Sequence, residues 1–297
     1  MIFVSGANGQ FARAVIHNLL AAGCGSTLIV GTRDVHSAFA RELAGQGVQV
    51  READFRRADL MRQALEGVAT ALFIPTYDSN DLRLRQNLNA LEAARDSGVR
   101  HVVYASFLRA ESARVEHSRL VHYPTEQAIR ESGLAFTLLR HALYADILVG
   151  DLRDTLASGL LRRPGGRSRC AYIAREDLGV SAAQVLLRNA PSGRTYTETM
   201  EQTWSGEDIA ALMSEVFERP VRFQSVPAAD WPRYMTENWG VPPELSKSTI
   251  GTMQAIEAGE FDVVSPDYRE ITGHPARSMR EFLEGVRDAS RGRDLRG

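Results

Sequence analysis

Lysine is almost missing from this sequence: of 35 basic residues only Lys247 is a lysine, and the others are arginine. That removes a G-x-x-x-x-G-K-[ST] phosphate loop, a kinase lysine in a Val-Ala-Ile-Lys setting and any evident Schiff-base lysine. Cysteine is scarce too. Cys24 and Cys170 are too few for a disulfide framework or a four-cysteine zinc site, and both are expected as reduced thiols of a cytoplasmic protein. HExxH and Cys–His clusters are absent, so no metal is expected, and without Gly-x-Ser-x-Gly there is no esterase elbow. Apolar runs are too short to cross a bilayer, so no membrane partner is expected. A net charge of −2 and the lack of helix-turn-helix features argue against a nucleic-acid partner. The arginine-rich stretch 287–296 reads as a frayed, solvated terminus. The opening Met1-Ile2-Phe3-Val4 reads as a strand and leaves no room for a leader.

What is present is alternation. Continuous apolar runs at residues 2–5, 28–31, 48–53, 71–75, 101–106 and 136–140 suit strands buried on both faces. Between them lie helical patterns at 11–22, after a cap at Asp59, at 80–97 and at 123–132, which closes at Gly133. In the third of these, Leu84, Leu88 and Leu91 share a side. This βαβαβ rhythm predicts an α/β fold: a Rossmann-type, doubly wound parallel sheet with helices on both faces. Further on, 158–169 reads as loop, Asp177 as the cap of a helix 178–188, and Ser205 as the cap of a helix followed by a strand at 221–226. All three tryptophans lie beyond residue 200. The expected division is a dinucleotide-binding domain at 1–150, rejoined by 174–200, and a smaller, mostly helical substrate lobe at 151–173 and 201–297.

The turn Gly6-Ala7-Asn8-Gly9-Gln10-Phe11-Ala12 follows the first strand and opens the first helix, the context a dinucleotide site requires. Gly6 permits the sharp turn, and Gly9 leaves bare backbone for a pyrophosphate. Ala12 stands where a third glycine would ease packing. Backbone N–H groups of this loop, Asn8, Gln10 and Phe11 included, and the helix dipole would hold the anion. After the second strand, Arg33 is placed to fork a 2′-phosphate, which favours NADP(H). In the other reading Arg33 is solvated and Asp34 takes the ribose diol of NAD. Asp54 and Phe55, after the third strand, would sit beside the adenine, or Asp54 serves the turn.

These residues resemble the NmrA-like branch of the atypical short-chain dehydrogenases, and most of all the NAD(P)H:quinone oxidoreductase type 2 proteins. The resemblance runs nearly end to end. It rests on Gly6 to Phe11, Thr32-Arg33, Gly98-Val99, Val103-Tyr104-Ala105-Ser106, Glu126, Ser132-Gly133, Thr137-Leu138-Leu139-Arg140 with Tyr144, and Gly273-His274-Pro275. It implies NADPH on the N-terminal sheet and a substrate between sheet and C-terminal lobe. Pro75-Thr76-Tyr77 and Ser106-Phe107-Leu108 would face the nicotinamide.

The pattern then breaks. Short-chain dehydrogenases use Tyr-x-x-x-Lys, in which the lysine holds the nicotinamide ribose and lowers the tyrosine pKa. Here the segment is Tyr123-Pro124-Thr125-Glu126-Gln127, so glutamine replaces the lysine and supplies no charge. Tyr123 is either a proton donor supported by His122 or His141, or a helix-start aromatic without a catalytic role. His141 follows Arg140 at a strand end, either as a proton donor in the nicotinamide pocket or as a packed residue. Tyr77, Phe107, Tyr144 and Trp239 are candidates for an apolar slot holding a small planar or aromatic substrate. The expected activity is NADPH-dependent hydride transfer to a quinone or related conjugated carbonyl, with tailoring of an aromatic metabolite as a variant. An NADP-sensing regulator without turnover and a non-redox enzyme on the same fold are the rivals. A homodimer is compatible with the fold.

Overall fold

The computed structural model describes residues 1–112, 114–188 and 193–294. Strand and helix alternate through the first half: β1 (Ile2–Val4), α1 (Gln10–Ala21), β2 (Leu28–Thr32), α2 (Ala38–Gly45), β3 (Gln49–Glu52), α3 (Ala58–Ala64), β4 (Thr70–Phe73), α4 (Asn80–Asp96), β5 (His101–Phe107), α5 (Tyr123–Glu131) and β6 (Ala135–His141). There follow β7 (Leu143–Tyr144), α6 (Leu152–Ser158), β8 (Leu160–Arg163), β9 (Arg169–Ile173), α7 (Arg175–Arg188), β10 (Thr195–Glu198), β11 (Thr203–Ser205), α8 (Gly206–Phe217) and β12 (Arg222–Ser225). Five helices complete the chain: α9 (Trp231–Trp239), α10 (Pro243–Lys247), α11 (Ile250–Glu257), α12 (Asp267–Thr272) and α13 (Met279–Asp294).

Seven strands form one parallel sheet in the order β10-β6-β5-β4-β1-β2-β3. The chain builds outward from β1 to β3, then crosses back to β4 beside β1. The carboxyl ends of β1 and β4 therefore diverge and open a crevice, as at any such switch point. Side chains alternate between two cores because strand residues point to opposite faces. Val4, Leu28, Val30, Leu72, Val103 and Leu139 pack on the α1 and α7 side, in a core that continues into the C-terminal lobe. Phe3, Ile29, Ala71, Phe73, Val102, Tyr104 and Leu138 face α3, α4 and α5. The helix α7 lies close on α1 because Gly179 has no side chain; a Cβ there would stand 2.5 Å from that of Ala14.

Several sequence expectations are corrected. The third strand is not buried on both faces: β3 is the sheet edge, and none of its residues is buried. The outward Leu88 of α4 is 38% exposed, while Gln86, Asn87, Ala90 and Leu91 face inward. Asp59 lies inside the first turn of α3, paired with Arg57 at 2.6 Å, and does not cap it. Asp177 likewise lies within α7, where it binds Arg277 at 2.9 Å. The stretch 158–169 holds β8 and the start of β9, because β12 and β11 pair with them. Ser205 does cap α8, in a reciprocal box with Asp208. The arginine-rich tail is helical through Asp294, and its remainder lies outside the described residues.

Candidate active site

The first cavity forms where β1 gives way to α1. Gly6 adopts a φ of +66°, which an L side chain takes only with strain. Its carbonyl accepts from Gly9 N–H at 2.8 Å, closing the turn. A Cβ on Gly9 would press on that carbonyl at 3.3 Å. Gly9 is the N-cap of α1 and offers no side-chain cap, so the opening turn of the helix presents bare backbone. Asn8 braces the loop: its Nδ2 donates to Thr32 Oγ1 at 3.1 Å, and its Oδ1 accepts from Ser37 at 3.2 Å. Ser5 Oγ, accepting from Ile74 N–H at 2.8 Å, ties the ends of β1 and β4 together.

The resulting cleft has a volume of about 460 Å³ and includes Gly6, Asn8, Gly9, Arg33, Asp54 and Phe55. Arg33 stands exposed on its wall just beyond β2. Asp54 is engaged by Arg56 at 2.6 Å, and that hydrogen bond holds its carboxyl below the usual range. Phe55 packs edge-on to Phe73 at 5.7 Å.

Pro75, Thr76 and Tyr77 form a partition shared with a second cavity of about 680 Å³. A chain of bonds fixes this segment: Thr76 donates to Gln86, whose Nε2 donates to Asp78 at 3.1 Å. Phe107, Leu143 and Tyr144 supply apolar walls, and Leu245 and Thr249 close over them from the C-terminal lobe. Arg83, His117 and His122 are its basic residues.

His122 ends a π-helical turn, Ser118–His122, that leads into α5. Its Nδ1 lies 3.2 Å from Tyr104 Oη, and its Nε2 lies 3.5 Å from Arg83. A guanidinium only donates, so Nε2 is the accepting nitrogen and Nδ1–H donates to the phenol. Burial, then the positive charge of Arg83, pushes the His122 pKa well below the usual imidazole value. The same causes bring His117 down to about 4.

Behind the pocket, Glu126 is fully buried. Its carboxylate accepts from Ser106 Oγ at 2.6 Å, from Arg140 at 2.8 and 2.7 Å, and from Arg130 at 3.1 Å. One side chain thereby pins α5 to β5 and β6. This is the physical content of the Glu126 and Thr-Leu-Leu-Arg motifs.

Three candidates for catalysis line neither cavity. Tyr123 is 38% exposed on the outer face of α5. Gln127 is exposed one turn on, accepting from Arg130 at 3.0 Å. His141 is buried between Phe11 and Tyr144, 3.4 Å from Glu198. Phe11 is a core residue, and the Gln10 side chain accepts from Arg175 at 2.8 Å. Trp239 packs on Trp231 and Tyr234, away from the slot formed by Tyr77, Phe107 and Tyr144. Sequence reasoning missed Arg83 altogether and cast His122 only as a helper. The signal for His122 was its place one turn before Glu126 on the buried face of the helix.

A doubly wound parallel sheet, with a glycine turn at its switch point and a lobe closing over the crevice, defines a Rossmann-type α/β protein. The chain belongs to the NmrA-like family, whose model matches residues 1–281. It is 28% identical over 284 residues to Quinone oxidoreductase 2 of Escherichia coli strain K12, covering 95% of this chain and 97% of that one. It is 28% identical over 290 residues to an NAD(P)H azoreductase of Xenophilus azovorans, covering 96% and 97%. Triphenylmethane reductase of Citrobacter sp., solved with NADP(H), superposes with a TM-score of 0.89 at 32% identity, covering 97% of this chain and 100% of that one.

Two outcomes are expected. Glu126→Gln removes the buried one of the two carboxylates that Arg140 pairs with, leaving Glu111, and should cost about 3–5 kcal/mol of stability, the usual loss when a buried ion pair is broken from one side. Urea unfolding measures it, and an unchanged midpoint would contradict the pinning role. The second concerns pH. His101 and His117, each brought down to about 4 by burial, stay neutral in the fold but protonate near 6.5 when unfolded. Stability is therefore fullest above that value. It should fall as pH drops from 6.5 toward 4, by up to about 1.4 kcal/mol per pH unit per histidine. Urea midpoints that stay level between pH 7 and pH 5 would refute the neutral assignment.

Proposed function

We propose that this protein is an NADPH-dependent oxidoreductase that passes hydride to a quinone or related conjugated, aromatic carbonyl compound. The reading is supported at the level of an NAD(P)H-dependent reductase by its relatives, which carry the names of quinone, azo and dye reductases. The observation that carries it further is adjacency: the glycine-turn cleft and an aromatic-walled pocket lie on either side of one shared wall, Pro75, Thr76 and Tyr77.

The residues fit the dinucleotide. Gly6 and Gly9 give the pyrophosphate close access to backbone N–H groups at the start of α1, and Asn8 holds the loop open. Arg33 receives the 2′-phosphate, and Asp54 with Phe55 borders the adenosine end. When bound, the cofactor supplies the hydride. Residues 151–173 and 201–297 act as the substrate lobe. Phe107 and Tyr144 orient a flat acceptor, and Leu245 excludes water from it. Quinone reduction needs no strong acid at the moment of hydride arrival, because the anion formed is stabilised by its own ring. The outward positions of Tyr123 and Gln127 are compatible with that chemistry.

The test is NADPH oxidation, followed by its near-ultraviolet absorbance, across a panel of quinones and enones. Acceptor-dependent turnover is expected. Gly9→Asp should abolish it, since a carboxylate there meets both the Gly6 carbonyl and the pyrophosphate. Arg33→Ala should weaken NADPH roughly ten- to hundredfold while sparing NADH, in line with loss of charge-assisted hydrogen bonds. Tight NADPH binding with no turnover on any acceptor would make the protein a sensor or a non-redox enzyme instead.

A further inference from the structure

Among the described residues, the larger cavity holds an arginine that no acidic side chain neutralises. Arg83 projects from the first turns of α4 into the larger cavity, half-buried among His117, His122, Phe107 and Tyr77. Buried arginines are normally paired, because an isolated charge out of water is costly. Among the described residues Arg83 meets no carboxylate. Among the described residues its one hydrogen-bond contact is with His122 Nε2 at 3.5 Å, and its buried Nε has no partner. Of the acids that line the cavity, Asp78 accepts from Gln86 and from the Ser79 backbone, and Glu244 is exposed and makes no ion pair with Arg83. The two histidines cannot answer the charge, since both are held neutral. Elsewhere this chain neutralises its inward arginines. Arg140 has Glu126 and Glu111, and Arg163 has Asp151 at 2.6 Å.

We propose that Arg83 is an anion subsite of the acceptor pocket, and that the substrate is a planar aromatic acceptor bearing a carboxylate, sulfonate or similarly acidic oxygen substituent. The inference rests on the reductase reading for the word acceptor, and on the cavity alone for the anion. Geometry supports a flat ligand that lies against Phe107 and Tyr144 and turns its acidic edge toward α4. A guanidinium suits that edge because it forks onto two oxygens at once. His122, whose Nε2 accepts, holds the guanidinium from behind and does not compete for the ligand. This narrows the substrate class from quinones and dyes in general to their acidic members.

The experiment compares two ligands of nearly equal shape, anthraquinone β-sulfonate and the neutral β-hydroxymethylanthraquinone. Each is titrated calorimetrically into NADP+-saturated protein. The sulfonate should bind roughly ten- to hundredfold more tightly, the usual worth of hydrogen bonds to a charged group. Arg83→Gln should bring the ratio near one, and Arg83→Lys, which keeps charge but loses the fork, should leave it intermediate. Equal affinities in the wild type, or a preference that survives Arg83→Gln, would overturn the subsite. So would an Arg83→Gln variant that loses NADP+ affinity as steeply as sulfonate affinity, since Arg83 would then serve the cofactor. If Arg83→Gln fails to fold, the wild-type ratio and Arg83→Lys still decide: equal wild-type affinities, or a wild-type preference left unaltered in the lysine variant, refutes the idea. NADPH oxidation with a neutral quinone, run on the same preparations, separates the two claims. Sulfonate preference without any turnover leaves the subsite standing and removes the reductase. Turnover without preference does the reverse.

Discussion

Glu126 carries a carboxylate with no access to water, and four hydrogen bonds from three elements converge on it. Such a group is tolerable only because its partners were themselves brought inward. Arg140 arrives from the last turnward residues of β6, Ser106 from β5, and Arg130 from one turn further along α5. The consequence is rotational: with Glu126 pointing at the sheet, the azimuth of α5 is set. His122, four residues earlier, must then face inward, and Tyr123 and Gln127 must face out. The His122–Tyr104 bond and the position of the imidazole behind Arg83 in the larger cavity follow from that rotation.

The sheet imposes the second constraint. Its order places β4 beside β1, so the segment after β4 must pass the glycine turn before entering α4. Residues 74–78 consequently border both cavities. The bond from Ile74 N–H to Ser5 keeps the two strand ends in register, and the Thr76–Gln86–Asp78 chain stiffens what would otherwise be an exposed loop. A ligand in one cavity and a ligand in the other thus share a fixed wall, which is the arrangement that direct transfer between them needs.

Much of this was legible in the sequence, for identifiable reasons. Strands buried on two faces read as apolar runs, and the glycine turn sat at a strand–helix junction where only a few backbone shapes are possible. The exceptions were places where tertiary contacts outrank local pattern. Residues 48–53 look like an inner strand, yet the edge needs no apolar partner. Along α4 the leucine stripe seemed the obvious inward face. The structure instead turns Gln86 and Asn87 inward, because each finds hydrogen-bond partners there: Asn87 with Tyr104 and Thr125, Gln86 with Thr76 and Asp78. Polar residues with partners can be buried at little cost, so the inward face is centred on Gln86, Asn87, Ala90 and Leu91, and of the leucine stripe Leu88 is left outside it. That same inward polar face delivers Arg83. Spacing left Tyr123 and Gln127 open. They do share a helix face, as four-residue spacing requires, but spacing alone cannot say which way the face looks.

His141 shows how a residue can be important to the site without touching it. Burial drives its imidazole pKa down and that of the neighbouring Glu198 up, so both are favoured as neutral groups beneath the sheet edge. From there contacts run outward: His141 Nδ1 lies 3.3 Å from Tyr144 Oη, and the Tyr144 ring lies 4.7 Å from the Arg175 guanidinium. Arg175 in turn donates to Gln10 at the mouth of α1. The far face of His141 packs on Phe11, from the same turn of α1. Gln10, Phe11 and His141 thus form a strut joining the start of α1 to Tyr144 in the larger cavity. These side chains, which by position in the sequence pointed to the site, tie the two cavities together from behind, whereas the groups that line the larger cavity come from α4, β5 and the turn before α5.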